Sequence, residues 1–89
     1  MDKSTDRIVT RFDYARLVKQ TTIPIITVYR NPADYPGKFV ARVWDVDRPT
    51  SLAAVADTYE ELLEAIPTHN MHRMEPSAKD DPVIVETWI

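Results

Sequence analysis

The first apolar pattern in the chain covers the segment from Asp6 to Gln20. Its apolar side chains recur at a spacing closer to 3.6 residues than to two, at Ile8, Val9, Phe12, Ala15, Leu17 and Val18. Such a spacing places apolar side chains along one stripe of a helix. The sequence therefore predicts an N-terminal helix over Asp6–Gln20, and the pattern is clearest over Asp13–Lys19.

Two strands joined by a turn are predicted after this helix. Ile23–Tyr29 is rich in β-branched residues, Asn31–Gly37 is rich in turn formers, and Lys38–Asp47 again alternates. Successive side chains of a strand point to opposite faces. Both faces of the second strand are largely apolar, one with Phe39, Ala41 and Val43 and the other with Val40, Trp44 and Val46.

The next part of the chain predicts a turn, a strand and a helix. Arg48–Thr50 is predicted as a turn, and Ser51–Ala56 as a short central strand of small residues. Thr58 and Glu61 have the spacing of a capping box at a helix start. The helix should end before Pro67, because a proline has no backbone N–H to donate.

A loop and a strand complete the predicted fold. The polar segment Thr68–Pro82 is predicted as a long loop, and the alternating segment Pro82–Ile89 as a strand paired within the sheet. Together the elements predict an α+β fold in the order α-β-β-β-α-β. Its sheet should be small, mixed and mostly antiparallel, with about four strands and one helix packed on one face.

Length and composition indicate one small globular domain over residues 1–89. The chain is 44% hydrophobic and 28% charged, which is typical of globular proteins. A domain of this size buries a smaller fraction of its surface on folding than a larger domain does. Without cysteine, no disulfide can stabilise it. A partner or self-association into a homodimer is one way to supply the remaining stability. No apolar stretch approaches roughly 18 residues, so we expect no membrane contact and a cytoplasmic location.

The charge of the chain is unevenly distributed. Residues 1–30 have a net charge of +3 and the remaining residues a net charge of −6, which together give the overall net charge of −3. No Lys or Arg lies between Arg48 and Arg73, where four acids occur at Asp57, Glu60, Glu61 and Glu64. Such a surface should repel phosphate groups and attract basic proteins. Nucleic acid, if bound, would contact the basic N-terminal segment, although a charged segment of this kind is more often simply a solvated helix face.

Catalytic chemistry is represented by one carboxylate pair. Asp45 and Asp47 are two residues apart at a strand end and should share a face, as in a Mg²⁺ site of a nuclease when a third acid converges on them. The alternative is a polar exit from the strand into a turn. No P-loop, dinucleotide fingerprint or nucleophile motif occurs, so the sequence predicts neither an enzyme nor a bound cofactor.

The positions of the aromatic residues are a second indication of partner binding. Trp44 lies on a predicted strand and Tyr35 in the turn before it, and Trp88 lies on the last strand. Tyrosine, tryptophan and arginine contribute disproportionately to protein interfaces. The alternative is that the tryptophans fill a small core. The two interpretations are compatible if the helix-free face of the sheet is partly exposed.

Two resemblances bear on function. The order of elements from Ile25 to Ile66, with Ala56-Asp57-Thr58-Tyr59-Glu60-Glu61, resembles the N-terminal domain of HicB-type antitoxins. That resemblance implies a truncated RNase-H-like fold that masks a small RNA-cleaving toxin. The whole chain, especially Asp80–Ile89, also resembles small uncharacterised proteins of phages and mobile elements of Gram-positive bacteria. This second resemblance favours small acidic inhibitors of the anti-CRISPR or anti-restriction kind.

The leading hypothesis is a non-catalytic, protein-binding regulator or inhibitor from a mobile element. Its predicted contact residues are Asp57, Glu60, Glu61, Glu64, Trp44 and Tyr35, acting on a partner with a basic surface. Two alternatives remain open. One is a Mg²⁺-dependent nuclease using Asp45 and Asp47, and the other is a nucleic-acid-binding module using residues 1–30.

Overall fold

A computed structural model describes residues 6–77 and 81–89 as an α+β fold around one mixed sheet. The sheet has six strands in the spatial order β1-β4-β3-β2-β6-β5. The elements in chain order are β1 Arg7–Ile8, α1 Tyr14–Gln20, β2 Pro24–Arg30, β3 Phe39–Asp45, β4 Arg48–Ala56, α2 Tyr59–Leu63, β5 Arg73–Met74 and β6 Ile84–Trp88. The predicted class is confirmed, but the predicted count of about four strands is too low.

The N-terminal helix is shorter than predicted. It begins at Tyr14, and Asp13 caps it by accepting a hydrogen bond from the backbone N–H of Ala15 at 3.1 Å. The residues before it are extended, and β1 pairs in parallel with β4. The predicted helix was therefore wrong for the residues before Asp13. β1 pairs with the edge of β4 there instead of forming helical turns.

An antiparallel meander of β2, β3 and β4 forms the centre of the sheet. The predicted turn before β3 is confirmed, with Gly37 at φ +79° and its N–H donating to the Asn31 side chain at 2.7 Å. The predicted turn at Arg48–Thr50 was wrong. Asp45 pairs directly with Arg48, so the chain reverses at Val46–Asp47 and β4 already begins at Arg48.

A bulge bends β4 where the turn was expected. Arg42 pairs with Ala53 but Trp44 pairs with Pro49, so β4 uses two more residues than β3 over this stretch. The Thr50 hydroxyl donates to the backbone oxygen of Val43 at 2.7 Å and so ties the bulge to its neighbour. The bulge is why this segment is rich in turn formers although it belongs to a strand.

The helix α2 starts as the sequence predicts. The Thr58 hydroxyl accepts a hydrogen bond from the backbone N–H of Glu61 at 3.2 Å, and the helical residues end before Pro67. With 7 residues in α1 and 5 in α2, neither described helix is long enough to span a membrane.

The final strand lies within the sheet, as predicted. β6 pairs antiparallel with β2, and Trp88 opposite Ile26 is 9% exposed. The segment predicted as a polar loop, residues 68–82, is less irregular than expected, because it contains β5 and the buried Met71. Residues 78–80 of that segment lie outside the described residues, as does Asp80 of the C-terminal resemblance.

The core lies on one face of the sheet. Ile26 pairs with Val43 and Val28 with Ala41, so these four side chains share a face, and the buried residues of both helices pack on it. One helix on this face was predicted, and the structure has two. The core consists of Phe12, Leu17, Ile26, Val28, Ala41, Val43, Ala54, Leu62, Ala65, Ile66, Met71 and Trp88. We call the opposite side the helix-free face.

A buried carboxylate joins three elements within this core. Glu86 of β6 is 0% exposed and lies opposite Val28. One carboxylate oxygen accepts from the Tyr59 hydroxyl at 2.7 Å and from Arg73 Nε at 2.6 Å, and the other accepts from Trp88 Nε1 at 2.7 Å. Burial, followed by the hydrogen bond to Glu86, raises the pKa of Tyr59. The network therefore fixes α2 and β5 against β6.

Removing this carboxylate should destabilise the fold strongly. Glu86→Ala leaves the Tyr59 hydroxyl and the Trp88 indole N–H without their acceptor, and each unsatisfied buried donor costs about 1–3 kcal/mol. Glu75 provides a matched control, because it pairs with the same Arg73 from a side chain that is 75% exposed. Glu75→Ala should change the free energy of unfolding in urea only slightly. Equal effects of the two changes would show that Glu86 does not organise the core.

Candidate protein-binding surface

The helix-free face is formed mainly by β2 and β3. Thr27 lies opposite Arg42, and Ile25 lies opposite Trp44. Side chains alternate between the faces of a sheet, so these residues point away from the core that contains Ile26. Tyr29, opposite Val40, belongs to the same face. β2 and β3 therefore contribute Ile25, Thr27, Tyr29, Val40, Arg42 and Trp44 to this face.

Two aromatic side chains are linked across this face. Trp44 Nε1 donates a hydrogen bond to the Tyr29 hydroxyl at 3.0 Å. Their backbones are separated by about 14 Å along the strands, since Tyr29 pairs with Val40 four residues before Trp44. Both side chains must therefore lie along the sheet, over the buried Thr27. Burial raises the pKa of Tyr29 above its ordinary value.

An ion pair holds the chain before β1 on the same face. Arg42 donates to both carboxylate oxygens of Asp6, at 3.0 and 2.9 Å, and also to the backbone oxygen of Thr50 at 2.8 Å. The Tyr35 hydroxyl donates to Asp6 at 2.7 Å. The side chains of Arg42 and Asp6 are 13% and 16% exposed, so solvent screens this pair only partly. The cluster fixes Tyr35 and its loop against the sheet.

The contacts of this cluster move the pKa values of Asp6, Tyr35 and Arg42 away from neutral pH. The hydrogen bond from Arg42, followed by that from Tyr35, lowers the pKa of Asp6. The hydrogen bond to Asp6 raises the pKa of Tyr35 and of Arg42. Each group therefore keeps a single protonation state around pH 7.

An apolar concavity of about 280 Å³ lies beside Trp44 on the helix-free face. Ile25, Val46 and Ile84 line it together with Trp44, and Thr27, Asp47 and Thr87 complete the lining. The Val46 side chain is 48% exposed, and its backbone has φ +60°, a left-handed conformation that is unfavourable for a β-branched residue. Left-handed strain at a residue other than glycine often accompanies a functional site.

The predicted acidic residues lie at one end of the sheet. Asp57 directly follows β4, and Asp57, Glu61 and Glu64 line one shallow concavity of about 510 Å³, which we call the acidic patch. Glu60 is exposed on α2 but does not line it. Lys38 forms an ion pair with Asp57, so a base from another part of the chain partly neutralises the patch.

The six predicted contact residues therefore do not form one surface. β3 begins at Phe39 opposite Ala56, so the loop with Tyr35 and the acidic patch lie at the same end of the sheet. Trp44 lies about 17 Å further along β3. Of the two tryptophans, Trp88 belongs to the core and Trp44 to the helix-free face.

The two carboxylates of the nuclease hypothesis, Asp45 and Asp47, lie in different parts of the structure. Asp45 ends β3, and one of its oxygens accepts from the backbone N–H groups of Thr22 and Ile23 at 2.9 and 3.3 Å. Asp47 lies exposed in the following turn. Among residues 6–77 and 81–89, no three His, Asp or Glu side chains converge as a metal site would require.

Sequence reasoning missed the polar contacts that organise both faces. Asp6 was assigned to a helix, so its pairing with Arg42 was not anticipated. Glu86 was treated as an ordinary position of the last strand, although alternation places it on the same face as Trp88. The shared face of Glu86 and Trp88 was the feature of the sequence that could have revealed this contact.

Comparisons of the chain with protein-family models, curated proteins and solved structures give no match. Both resemblances noted from the sequence therefore stay predictions.

The Asp6–Arg42 pair should make stability depend on acid pH. A lowered pKa in the folded state means that the contribution of Asp6 is complete above its ordinary pKa and is lost as the pH falls through the folded value. Asp6→Asn should lower the free energy of unfolding by about 1–2 kcal/mol at pH 7. The difference from the unmodified protein should shrink below about pH 4.

Urea denaturation from pH 7 to pH 3 measures this effect. Asp34→Asn is the control, because the Asp34 carboxylate is 3.7 Å from Arg42 and more exposed. It should produce a smaller change over the same range. A constant difference between Asp6→Asn and the unmodified protein at every pH would contradict the assignment.

Proposed function

We propose that this protein is a non-catalytic regulator that binds another protein through its helix-free face. The observation that carries the proposal is the arrangement of Tyr29, Tyr35, Arg42 and Trp44, each hydrogen-bonded in place, with Trp44 lining the apolar concavity. These residue types dominate the binding energy of protein interfaces. Side chains already held in one conformation lose little entropy when a partner binds.

The pKa shifts of residues on the helix-free face support a binding role over proton-transfer chemistry. An efficient general acid or base has a pKa near the operating pH. Asp6 is shifted down, and Tyr29, Tyr35 and Arg42 are shifted up, so every resolved shift on this face moves away from neutrality. Such shifts stabilise fixed charges and hydroxyl groups for recognition.

The acidic patch supports a partner with a basic surface. Glu61 and Glu64 are exposed near the end of the sheet that carries Tyr35. Exposed charges mainly increase the rate of association and its dependence on salt, whereas buried aromatic contacts set affinity. In the proposal the patch steers the partner and the helix-free face holds it. An inhibitor or antitoxin-like protein of a mobile element, acting in the cytoplasm, would use such a surface to cover a basic nucleic-acid-binding site.

Crosslinking from defined positions tests the contact surface. A photoreactive amino acid replaces Asp47, an exposed residue that lines the apolar concavity, in one variant and Val18, an exposed residue of α1, in another. In cells that encode the protein, the variant at position 47 should capture one protein with a basic surface, which is then purified and bound in isolation. Capture only from position 18 would contradict the proposal, and capture of a second copy of this chain would establish a homodimer instead.

Affinity for that isolated partner should depend on the helix-free face. Trp44→Ala and Val46→Gly should each weaken binding at least about 10-fold, since interface hot spots contribute 2 kcal/mol or more. Val46→Gly also relieves the left-handed strain, so a loss of affinity cannot be ascribed to unfolding. Val18→Ala is the matched control and should bind normally. Replacing Glu60, Glu61 and Glu64 by Gln should slow association mainly at low salt.

A separate assay addresses the nuclease alternative. Purified protein with Mg²⁺ or Mn²⁺ should leave RNA and DNA intact, because Asp45 already accepts two backbone hydrogen bonds and Asp47 lies apart in the turn. The control is the double variant Asp45→Asn, Asp47→Asn, which should behave identically. Metal-dependent cleavage that disappears in this variant would replace the regulator proposal with a nuclease.

A further inference from the structure

Three arginines converge on a surface that the proposed function does not use. Arg7 of β1, Arg11 of the following connection and Arg16 of α1 are all exposed, and all three line one concavity of about 240 Å³. Its apolar lining includes Leu17 and Leu52. We call this feature the arginine groove.

The fold explains why these residues meet. Arg7 lies opposite Leu52, which packs against the core, so the parallel pairing of β1 directs Arg7 to the side of the sheet that carries α1. The cap at Asp13 starts α1 directly after Arg11 and so brings Arg16 to the same place. Gln20, one helical turn after Arg16, also lines the groove.

No carboxylate among residues 6–77 and 81–89 forms an ion pair with the groove arginines. The ion pairs among the described residues use Lys38, Arg42 and Arg73 and none of the three groove arginines. Asp13 is the one carboxylate among the residues lining the groove, and it already accepts the capping hydrogen bond from Ala15. Three neighbouring guanidinium groups with one acid create a local potential that attracts anions.

The groove continues beyond the arginines. A second concavity of about 240 Å³ shares Arg7, Leu17, Gln20 and Leu52 with the first and adds the hydroxyl residues Thr50 and Ser51. The two concavities share four lining residues, so the groove extends past Arg7 toward Thr50 and Ser51. Among the described residues, Phe12 is the one aromatic residue that lines either part, and because it is buried these residues offer no aromatic ring for base stacking.

We propose that the arginine groove binds the phosphodiester backbone of a single-stranded nucleic acid without reading its bases. Guanidinium groups bind phosphate oxygens through paired N–H donors. The groove involves a different set of residues from the helix-free face, so this activity is independent of the proposed protein binding. Three phosphate contacts give weak, strongly salt-dependent binding that does not distinguish sequences.

Fluorescence anisotropy with a labelled oligothymidylate of about 12 nucleotides tests the proposal. The unmodified protein should bind, with affinity falling as salt rises and a log–log slope of about −2, as expected for three phosphate contacts on a single strand. The triple variant Arg7→Gln, Arg11→Gln, Arg16→Gln should bind at least about 10-fold more weakly. An oligoadenylate of the same length should bind within about threefold of the oligothymidylate.

A charge-matched control separates the groove from general electrostatic attraction. The triple variant Lys19→Gln, Arg30→Gln, Arg48→Gln removes the same charge from exposed residues that do not line the groove. It should bind the oligonucleotide within about threefold of the unmodified protein. Equal losses in the two triple variants would overturn the proposal, as would a strong base preference. Thermal melting checks both folds, and the single variants Arg11→Gln and Arg16→Gln replace the triple variant if it melts early.

Further arms of the experiment identify the source of the phosphate. Inorganic phosphate should compete with the oligonucleotide only at millimolar concentration, because it offers one phosphate instead of three. A duplex of the same length should bind more weakly than the single strand, because a rigid helix cannot follow a concave groove. Tight binding of inorganic phosphate without oligonucleotide binding would contradict the proposal, and so would a preference for the duplex.

Discussion

The buried carboxylate of Glu86 constrains the C-terminal half of the molecule. A buried carboxyl group requires hydrogen-bond donors from the protein, and here they come from Tyr59 on α2, Arg73 on β5 and Trp88 on β6. If any of these elements moves, a donor is lost from a site that is 0% exposed. The position of the short helix α2 is therefore determined by polar contacts as well as by the apolar packing of Leu62 and Ile66.

The two faces of the sheet use ion pairs for different purposes. On the core side, Glu86 joins elements that follow one another late in the chain. On the helix-free face, Arg42 holds Asp6 from the beginning of the described chain and, through it, the loop with Tyr35. That pair covers a face on which no described helix packs, so aromatic and arginine side chains lie along the sheet where a second layer would otherwise be needed.

Patterns within single segments predicted much of this fold. The centre of the sheet, the Thr58 cap and the inclusion of the final strand were predicted because β-branched runs, capping residues and alternation are local signals. The two-residue strands β1 and β5 carry no such signal, because each exists only through pairing with a distant strand. The turn at Val46 was missed for another reason. Glycine or asparagine normally marks a left-handed residue, and valine does not.

The candidate surfaces were less predictable than the strands. The sequence indicated Trp44, Tyr35 and the acids as contact residues, but residue types alone do not tell which of them share a surface. Lys38, which pairs with Asp57, is 19 residues away in the sequence. The convergence of Arg7, Arg11 and Arg16 likewise depends on β1 being a strand, because a continuous helix from Asp6 would have placed Arg7 elsewhere.

The shortness of the outermost strands affects how the molecule meets other chains. Unpaired backbone groups along a sheet margin are a template for adding foreign strands and so for aggregation. Here each margin ends in a strand of two residues, and the neighbouring β4 contains a proline at Pro49 and the bulge at Thr50. An incoming chain would find few N–H and C=O groups in a straight row. The short outermost strands therefore make a poor template for edge-to-edge polymerisation.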